Sequence, residues 1–354
     1  MAGQYEECEH SMTPWPAHGG RLSELAHLFP EAPKPWIDLS TGINPHPFPF
    51  TQPDSALHAR LPDPMEEEAL RHAAAEAYGV SPSCVLAAPG TQLLIGLLPG
   101  FLMRRQIVAG VRILSPTYSG HEAAWREARI PIQHLPYGGA LSLPERHGVT
   151  VICAPNNPTG HALTLAEIAS LAETHARANA VLVVDEAYAD FARESAASLL
   201  PHPSLIVLRS FGKAYGLAGM RIGFLLGMHP VVQALRTAIG PWAISTAGCH
   251  IAAEALRDRA WRSDMGRRLE REMAALRHVV TRAGFEFVGG TSLFGLFRST
   301  NAPALWERLA RAGILVRRFD WDASLLRFGL PADETGLMRL AKALDVKALD
   351  TGGV

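Results

Sequence analysis

Short apolar runs alternate with longer amphipathic stretches along the chain from about residue 80 onward. The runs Val85–Ala88, Val111–Leu114, Val149–Cys153, Val181–Asp185, Leu205–Arg209 and Ile222–Leu226 are mostly aliphatic and too short for helices, so each predicts a strand. Between them, helical spacing of apolar positions predicts helices near 91–102, 120–128, 164–178 and 231–239. Strands apolar on both faces and separated by helices indicate a largely parallel sheet covered on both sides. Upstream, Met65 to Tyr78 reads as a helix whose first turn carries Glu66, Glu67 and Glu68, charges suited to the positive end of a helix dipole. Ser245 to Ala283 is almost continuously helical, a length that implies a break or a link between two domains. Beyond Phe285, strands at Leu293–Phe297, Ile314–Val316 and Leu325–Phe328 alternate with helices near 303–312 and 335–346. The expected architecture is α/β: a large domain with a mostly parallel sheet and a smaller α+β C-terminal domain.

The first 63 residues break this rhythm. Proline occurs at 14, 16, 30, 33, 35, 45, 47, 49, 53, 62 and 64, removing backbone donors and fixing φ, so this segment predicts an irregular arm with at most one short helix near 21–28. The expected division is an arm over 1–45, a large domain over 46–245 and a small domain over 246–354. A chain of 354 residues that is 48% hydrophobic and 19% charged is no disordered segment. Its formal net charge of −1 provides no field to attract nucleic acid or an anionic membrane. The longest apolar stretch, Leu93 to Met103, is interrupted by Pro99 and Gly100 and is too short to span a bilayer. The opening MAGQYEECEHS lacks the basic start and apolar run of a signal peptide. Cys8, Cys84, Cys153 and Cys249 form no CxxC pair, and the neighbours Cys8/His10 and Cys249/His250 fall short of a metal site. The expectation is a cytoplasmic protein without a metal.

The chemistry gathers where the predicted strands end. One strand delivers Asp185 at its carboxyl end, followed by Glu186, Ala187 and Tyr188. The next runs into Ser210-Phe-Gly-Lys213-Ala-Tyr-Gly-Leu-Ala-Gly-Met-Arg221-Ile-Gly223. Ligands of parallel sheets sit beyond the carboxyl ends of strands, so Asp185, Ser210 and Lys213 face one crevice. Pro155-Asn-Asn157-Pro-Thr-Gly160 follows the strand ending at Cys153, and Pro89-Gly90-Thr91-Gln92 opens a predicted helix, where free N–H groups suit a phosphate. Taken singly, each segment has another reading: a solvated lysine, a helix-capping aspartate, a turn. Neither a Walker A loop nor GxGxxG stands at Pro89–Gln92. Pyridoxal phosphate requires all of these features together: a lysine for a Schiff base, a carboxylate to keep its ring nitrogen protonated, donors to its phenolic oxygen and a cradle for its phosphate.

In this order, PNNPTG, VVDEAY and SFGKAYGLAGMRIG resemble the fold-type I pyridoxal-phosphate enzymes of the class I/II aminotransferase family, over nearly the whole chain. The resemblance implies that Lys213 carries the cofactor, that Asp185 pairs with the ring nitrogen, and that Asn157 and Tyr188 bond the phenolic oxygen. It implies that Tyr118, in SPTYSGH, stacks on the ring, while Gly90, Thr91, Gln92, Ser210 and Arg221 surround the phosphate. Arg327, in LLRFGLP, would take the substrate α-carboxylate bidentately. A symmetric homodimer is implied as well. Two positions depart from the family: Gly212 stands where Ser or Thr often precedes the lysine, and Leu61 stands where many relatives carry a Tyr reaching the partner's cofactor.

The arm narrows the resemblance. His18-Gly19-Gly20, PWIDLSTGINP from Pro35 to Pro45, and PWAIS at Pro241 resemble the threonine-phosphate decarboxylase branch of that family. This implies loss of CO₂ from a small phosphorylated amino acid, supplying a linker for cobalamin biosynthesis. In this branch His18 and Arg317 would contact the substrate phosphate, with Gly19 and Gly42 lining the pocket and Asn157 and Arg327 completing it. Arg318 is an equally available cation. Two other functions stay open: a transaminase of the histidinol-phosphate aminotransferase kind, and a non-catalytic pyridoxal-phosphate sensor. Such sensors usually carry a fused helix-turn-helix domain, which the proline-rich arm does not offer.

Overall fold

The computed structural model describes residues 19–105, 110–138 and 146–346. It begins with α1 (Leu22–Leu28), β1 (Ile37–Leu39), the single turn α2 (Ser55–His58) and α3 (Pro64–Tyr78). Next come β2 (Val85–Ala88), α4 (Thr91–Arg104), β3 (Val111–Ser115), α5 (Ser119–Glu127), β4 (Ile132–Pro136), β5 (Val149–Cys153) and α6 (Leu165–Arg177). β6 (Val181–Asp185), β7 (Leu205–Ser210), α7 (Phe211–Ala214), β8 (Gly223–Leu226), α8 (His229–Ile239) and α9 (Thr246–Arg257) follow. The chain continues through α10 (Arg259–Arg282), β9 (Glu286–Thr291), β10 (Phe294–Arg298), α11 (Ala302–Arg311), β11 (Ile314–Arg318), β12 (Leu325–Gly329) and α12 (Glu334–Ala343).

Seven strands form one sheet in the order β2-β8-β7-β6-β5-β3-β4, parallel except for β8, which runs against both of its neighbours. Every residue of β5 and β6 is buried, as the continuous apolar runs require. The pleat divides β6 between two cores. Leu182 and Val184 pack with Leu70 of α3, Ile168 of α6 and Ile251 of α9, whereas Val181 and Val183 pack with Leu94 of α4 and Val232 of α8. α3 is framed by local chemistry. Asp63 and Glu66 form a reciprocal capping box at its start, worth about 1 kcal/mol, and Gly79 closes it in the left-handed conformation.

A second sheet, in the order β1-β11-β12-β10-β9, packs its face on α10 and α11 through Leu276, Phe294, Trp306 and Phe328. Its edge strand β1 comes from the proline-rich arm and runs parallel to β11, pairing Ile37 with Ile314 and Leu39 with Val316. β1, β4 and β9 are absent from the sequence expectation. β1 is three residues long and exists through its partner. β4 mixes Gln133 and His134 with apolar residues and ends at Pro136, tolerable because the strand lies at the sheet edge. β9 contains Gly289 and Gly290, which weaken any strand signal.

The long helical stretch breaks at Asp258, whose carboxylate accepts from the backbone N–H of Trp261 and starts α10. α9 belongs to the core of the seven-stranded sheet and α10 largely to the other core. We therefore place the passage between the two bodies at Asp258 rather than after residue 245. Among the described residues, no helix is long and apolar enough to cross a membrane.

Candidate active site

The carboxyl ends of β3, β5, β6 and β7 converge on a cavity of ≈220 Å³ lined by Thr91, Tyr118, Asn157, Asp185, Ser210, Lys213 and Arg221, among others. Tyr118, Asn157, Tyr188 and Lys213 also line a wider cavity of ≈650 Å³, which brings in Gly19, Gly42, Arg317 and Arg327. Of the residues expected to carry chemistry, all those within the described part meet in these two adjoining spaces. His18 lies outside the described residues.

One end of the smaller cavity is built for an anion. Sheet register sets Gly223 opposite both Ser210 and Ala88, bringing the Lys213 segment beside the start of α4. A Cβ on Gly223 would stand 2.5 Å from the Thr91 nitrogen, so only glycine permits this approach. The cap residue of α4, Gly90, has φ +82° and provides no capping side chain, leaving the first N–H groups of a 14-residue helix for a ligand. Arg221, itself in the left-handed region with φ 55°, lies so close that a Cβ on Gly90 would be 2.8 Å from its Nη2. Gln92 accepts the Tyr118 phenol at 2.8 Å and thereby orients that ring beside the cavity. Gly212 has a packing reason: a Cβ there would come 2.6 Å from the Ala218 Cα. A hydroxyl side chain at 212 would displace this backbone before it could reach a phosphate.

At the other end, buried Asp185 accepts from the Ala187 backbone N–H at 3.0 Å and from His121 Nε2 at 2.8 Å. His121, absent from the sequence expectation, lies one helical turn beyond Tyr118 in SPTYSGH and is 2% exposed. Its signal was that spacing, which brings residues i and i+3 to one side of a helix. Burial opposes a charged ring, but the Cys153 sulfur and the Asp185 carboxylate outweigh it and push the His121 pKa up to about 10. Ligand atoms of His121, Cys153 and Asp185 lie within 4.8 Å of one another. The short bond from His121 accounts for this grouping without an ion, since a protonated imidazole directs an N–H at the Asp185 carboxylate.

A raised histidine pKa has a defined linkage sign. The stabilisation is fully present below the ordinary value of 6.5 and is lost as pH rises through about 10. The urea midpoint of the cofactor-free protein should therefore decline between those pH values, and His121→Gln should flatten the decline. Parallel curves for the two proteins would remove the charged pair.

The wider cavity holds two cations on adjacent strands. Arg317 on β11 pairs directly with Arg327 on β12, so the two side chains leave the sheet on one face. Arg327 is 6% exposed; its Nη2 donates to the Ser40 carbonyl at 2.5 Å, its Nη1 donates to Asn157 Oδ1, and its Nε has no partner among the described residues. Burial and the neighbouring Arg327 both push the Arg317 pKa below the usual arginine value, partly offset by exposed Asp320. Strand alternation turns Arg318 away, to stand 5.5 Å over the Trp306 ring. Gly42 and Gly19 are forced to be small: a Cβ would meet the Tyr188 phenol at 2.9 Å or the Ser40 carbonyl at 2.7 Å. Lys213 Nζ lies 5.7 Å from the Tyr188 ring centroid.

These residues fit pyridoxal phosphate: an uncapped helix start beside Arg221, a buried carboxylate bonded to His121, and a lysine lining the same cavity. The sequence matches the family model for aminotransferase class I and II over residues 35–344. It is 40% identical over 328 residues to a threonine-phosphate decarboxylase of Pseudomonas aeruginosa, covering 92% of this chain and 96% of the relative. It is 39% identical over 332 residues to a threonine-phosphate decarboxylase of a Sinorhizobium species, covering 92% and 97%. Among solved structures, the fold is shared with a histidinol-phosphate aminotransferase of Sinorhizobium meliloti in complex with pyridoxal-5'-phosphate. That match has a TM-score of 0.77 at 20% identity, covering 97% of this chain and all of that one.

Proposed function

The chain belongs to the aminotransferase class I and II family, and within it we propose that it decarboxylates L-threonine O-3-phosphate to (R)-1-amino-2-propanol O-2-phosphate, the reaction that its resemblance places in cobalamin biosynthesis. It is a pyridoxal-phosphate enzyme. When bound, that cofactor accepts the electron pair released when a bond at the substrate Cα breaks. Asp185 would hold the proton of its ring nitrogen. Thr91, Ser210 and Arg221 would hold the cofactor phosphate, Asn157 and Tyr188 would bond its phenolic oxygen, and Tyr118 would cover the ring. Lys213, which lines both cavities, would carry the cofactor and is the group placed to move a proton at the substrate Cα.

One observation carries the choice of substrate: Arg317 and Arg327 stand directly opposite each other on neighbouring strands beside Lys213. Two cations in that position suit a substrate that carries two anionic groups. Threonine phosphate supplies a carboxylate for one and a phosphate for the other. Histidinol phosphate offers this pair a phosphate but no carboxylate. Two anchors also fix rotation about the bond from nitrogen to Cα, and that rotation selects the bond to be broken. The reading gives the Cα–carboxylate bond as the one aligned, so the enzyme acts as a lyase.

Purified enzyme loaded with cofactor should release CO₂ and an aminopropanol phosphate from L-threonine O-3-phosphate. Arg317→Ala and Arg327→Ala should each lower kcat/KM by about 10- to 100-fold, the worth of a charge-assisted hydrogen bond. Transfer of the amino group of histidinol phosphate to 2-oxoglutarate, with no CO₂ from threonine phosphate, would establish the transaminase instead.

The assembly we propose is a symmetric homodimer. Leu61, Met65 and Trp242 expose apolar side chains around the first turns of α3, where the Trp242 N–H bonds Glu67. The Leu61 side chain cannot supply the phenol that many relatives send to the partner's cofactor. Sedimentation equilibrium should give twice the chain mass, and a fully active monomer would exclude the arrangement. A cytoplasmic location agrees with the buried free thiols of Cys84, Cys153 and Cys249.

A further inference from the structure

We infer that Asn44, in the arm, is a positioning residue for Lys213; the inference rests on Lys213 being the cofactor lysine. α7 is one turn of four residues, and a helix leaves its last carbonyls without partners in its own ladder. Here the arm supplies the donors. The Asn44 backbone N–H donates to the Lys213 carbonyl at 2.9 Å, Asn44 Nδ2 to the Ala214 carbonyl at 2.8 Å, and the Phe48 N–H to the Tyr215 carbonyl at 2.9 Å. Three consecutive carbonyls of the lysine segment are thus held by a chain segment about 170 positions away.

Asn44 is built to do this. It is 2% exposed, and its Oδ1 accepts the His46 backbone N–H at 2.9 Å, which leaves the amide nitrogen aimed at Ala214. The contact is tight. Gly216 has φ +66°, and a Cβ there would lie 2.7 Å from the Pro47 Cα and 2.8 Å from the Asn44 carbonyl oxygen. His46 then fastens the arm to α10, its Nε2 within 2.9 Å of both carboxylate oxygens of Glu272. β1, a few residues earlier, is paired with β11, whose Arg317 lines the substrate cavity. The arm therefore ties the backbone of the lysine to the sheet bearing the substrate cations. Losing one donor to this segment should shift the lysine by a fraction of an ångström while leaving those cations in place.

Asn44→Ala removes the side-chain donor; Asn44→Asp keeps the volume and the acceptor for His46 but sets an oxygen against the Ala214 carbonyl. Each holoenzyme is titrated by the visible absorbance of its bound cofactor, then assayed with L-threonine O-3-phosphate. In both variants the pH midpoint of the absorbance change should move by about half a unit or more, reporting altered interactions of the lysine linkage. kcat should fall by about 10- to 100-fold while KM stays within about twofold, as expected for misplacement of a reacting group rather than loss of binding. A wild-type midpoint and kcat in the folded Asn44→Asp protein would overturn the inference, even if its melting temperature dropped. Borohydride trapping of cofactor on the Lys213 peptide of the wild type tests the underlying reading separately.

Discussion

Replacing Lys213 with alanine should give a folded protein that binds pyridoxal phosphate weakly and cannot be covalently labelled when borohydride is added. In the wild type, the same treatment should attach the cofactor irreversibly to the peptide spanning Ser210 to Arg221. The lysine lines both cavities and has no neighbouring lysine in its segment to take its place. On its proposed role, its loss would remove the covalent anchor and the proton carrier at once, so turnover should fall by about 10⁴-fold or more, the scale of nucleophilic and acid–base contributions. The surrounding fold should persist, because the helix turn carrying Lys213 is fixed by buried Phe211 and Tyr215, which stack at 4.6 Å, and by the arm. Borohydride labelling of Lys213→Ala at another lysine, with activity retained, would contradict the assignment.

Asp185→Asn should be nearly as damaging despite an almost unchanged shape. The native carboxylate accepts from the Ala187 N–H and from His121. In the variant, an amide nitrogen can face the His121 N–H, placing donor against donor, and the carboxylate proposed to keep the cofactor ring nitrogen protonated is gone. Losing a principal electrostatic element of a preorganised site costs about 10³-fold in rate. The expected result is kcat for threonine phosphate lowered by that order, with the cofactor phosphate still held at the start of α4. Near-wild-type kcat in Asp185→Asn would remove Asp185 from this role. A protein that loses cofactor altogether would show instead that the carboxylate contributes mainly to binding, a distinction read from cofactor content at saturating pyridoxal phosphate.

Much of this arrangement was legible in the chain because it depends on local rules. β5 and β6 are apolar throughout, since both faces of a central parallel strand are covered, and their ends can be read within a residue or two. Position at a strand's carboxyl end sufficed to gather Asp185, Ser210 and Lys213, because parallel topology sends all such ends to one edge.

Other features were decided only by the folded chain, for reasons of distance and direction. Whether Arg317 or Arg318 faces the substrate cavity depends on which side of β11 the core occupies, and Trp306 beneath Arg318 settles that direction. β1 is too short to persist without β11, so nothing within the arm itself could announce a strand. His121 could be placed one turn from Tyr118, but its charge follows from the Cys153 sulfur and the Asp185 carboxylate, which lie on two other elements and outweigh its burial. Asn44 reads as a turn residue before proline until the lysine segment is seen to need donors that its own short helix cannot provide. Sequence determined which residues could do chemistry, because propensity and spacing act over a few positions. Tertiary structure determined their partners, charge states and directions, because those depend on contacts between segments far apart in the chain.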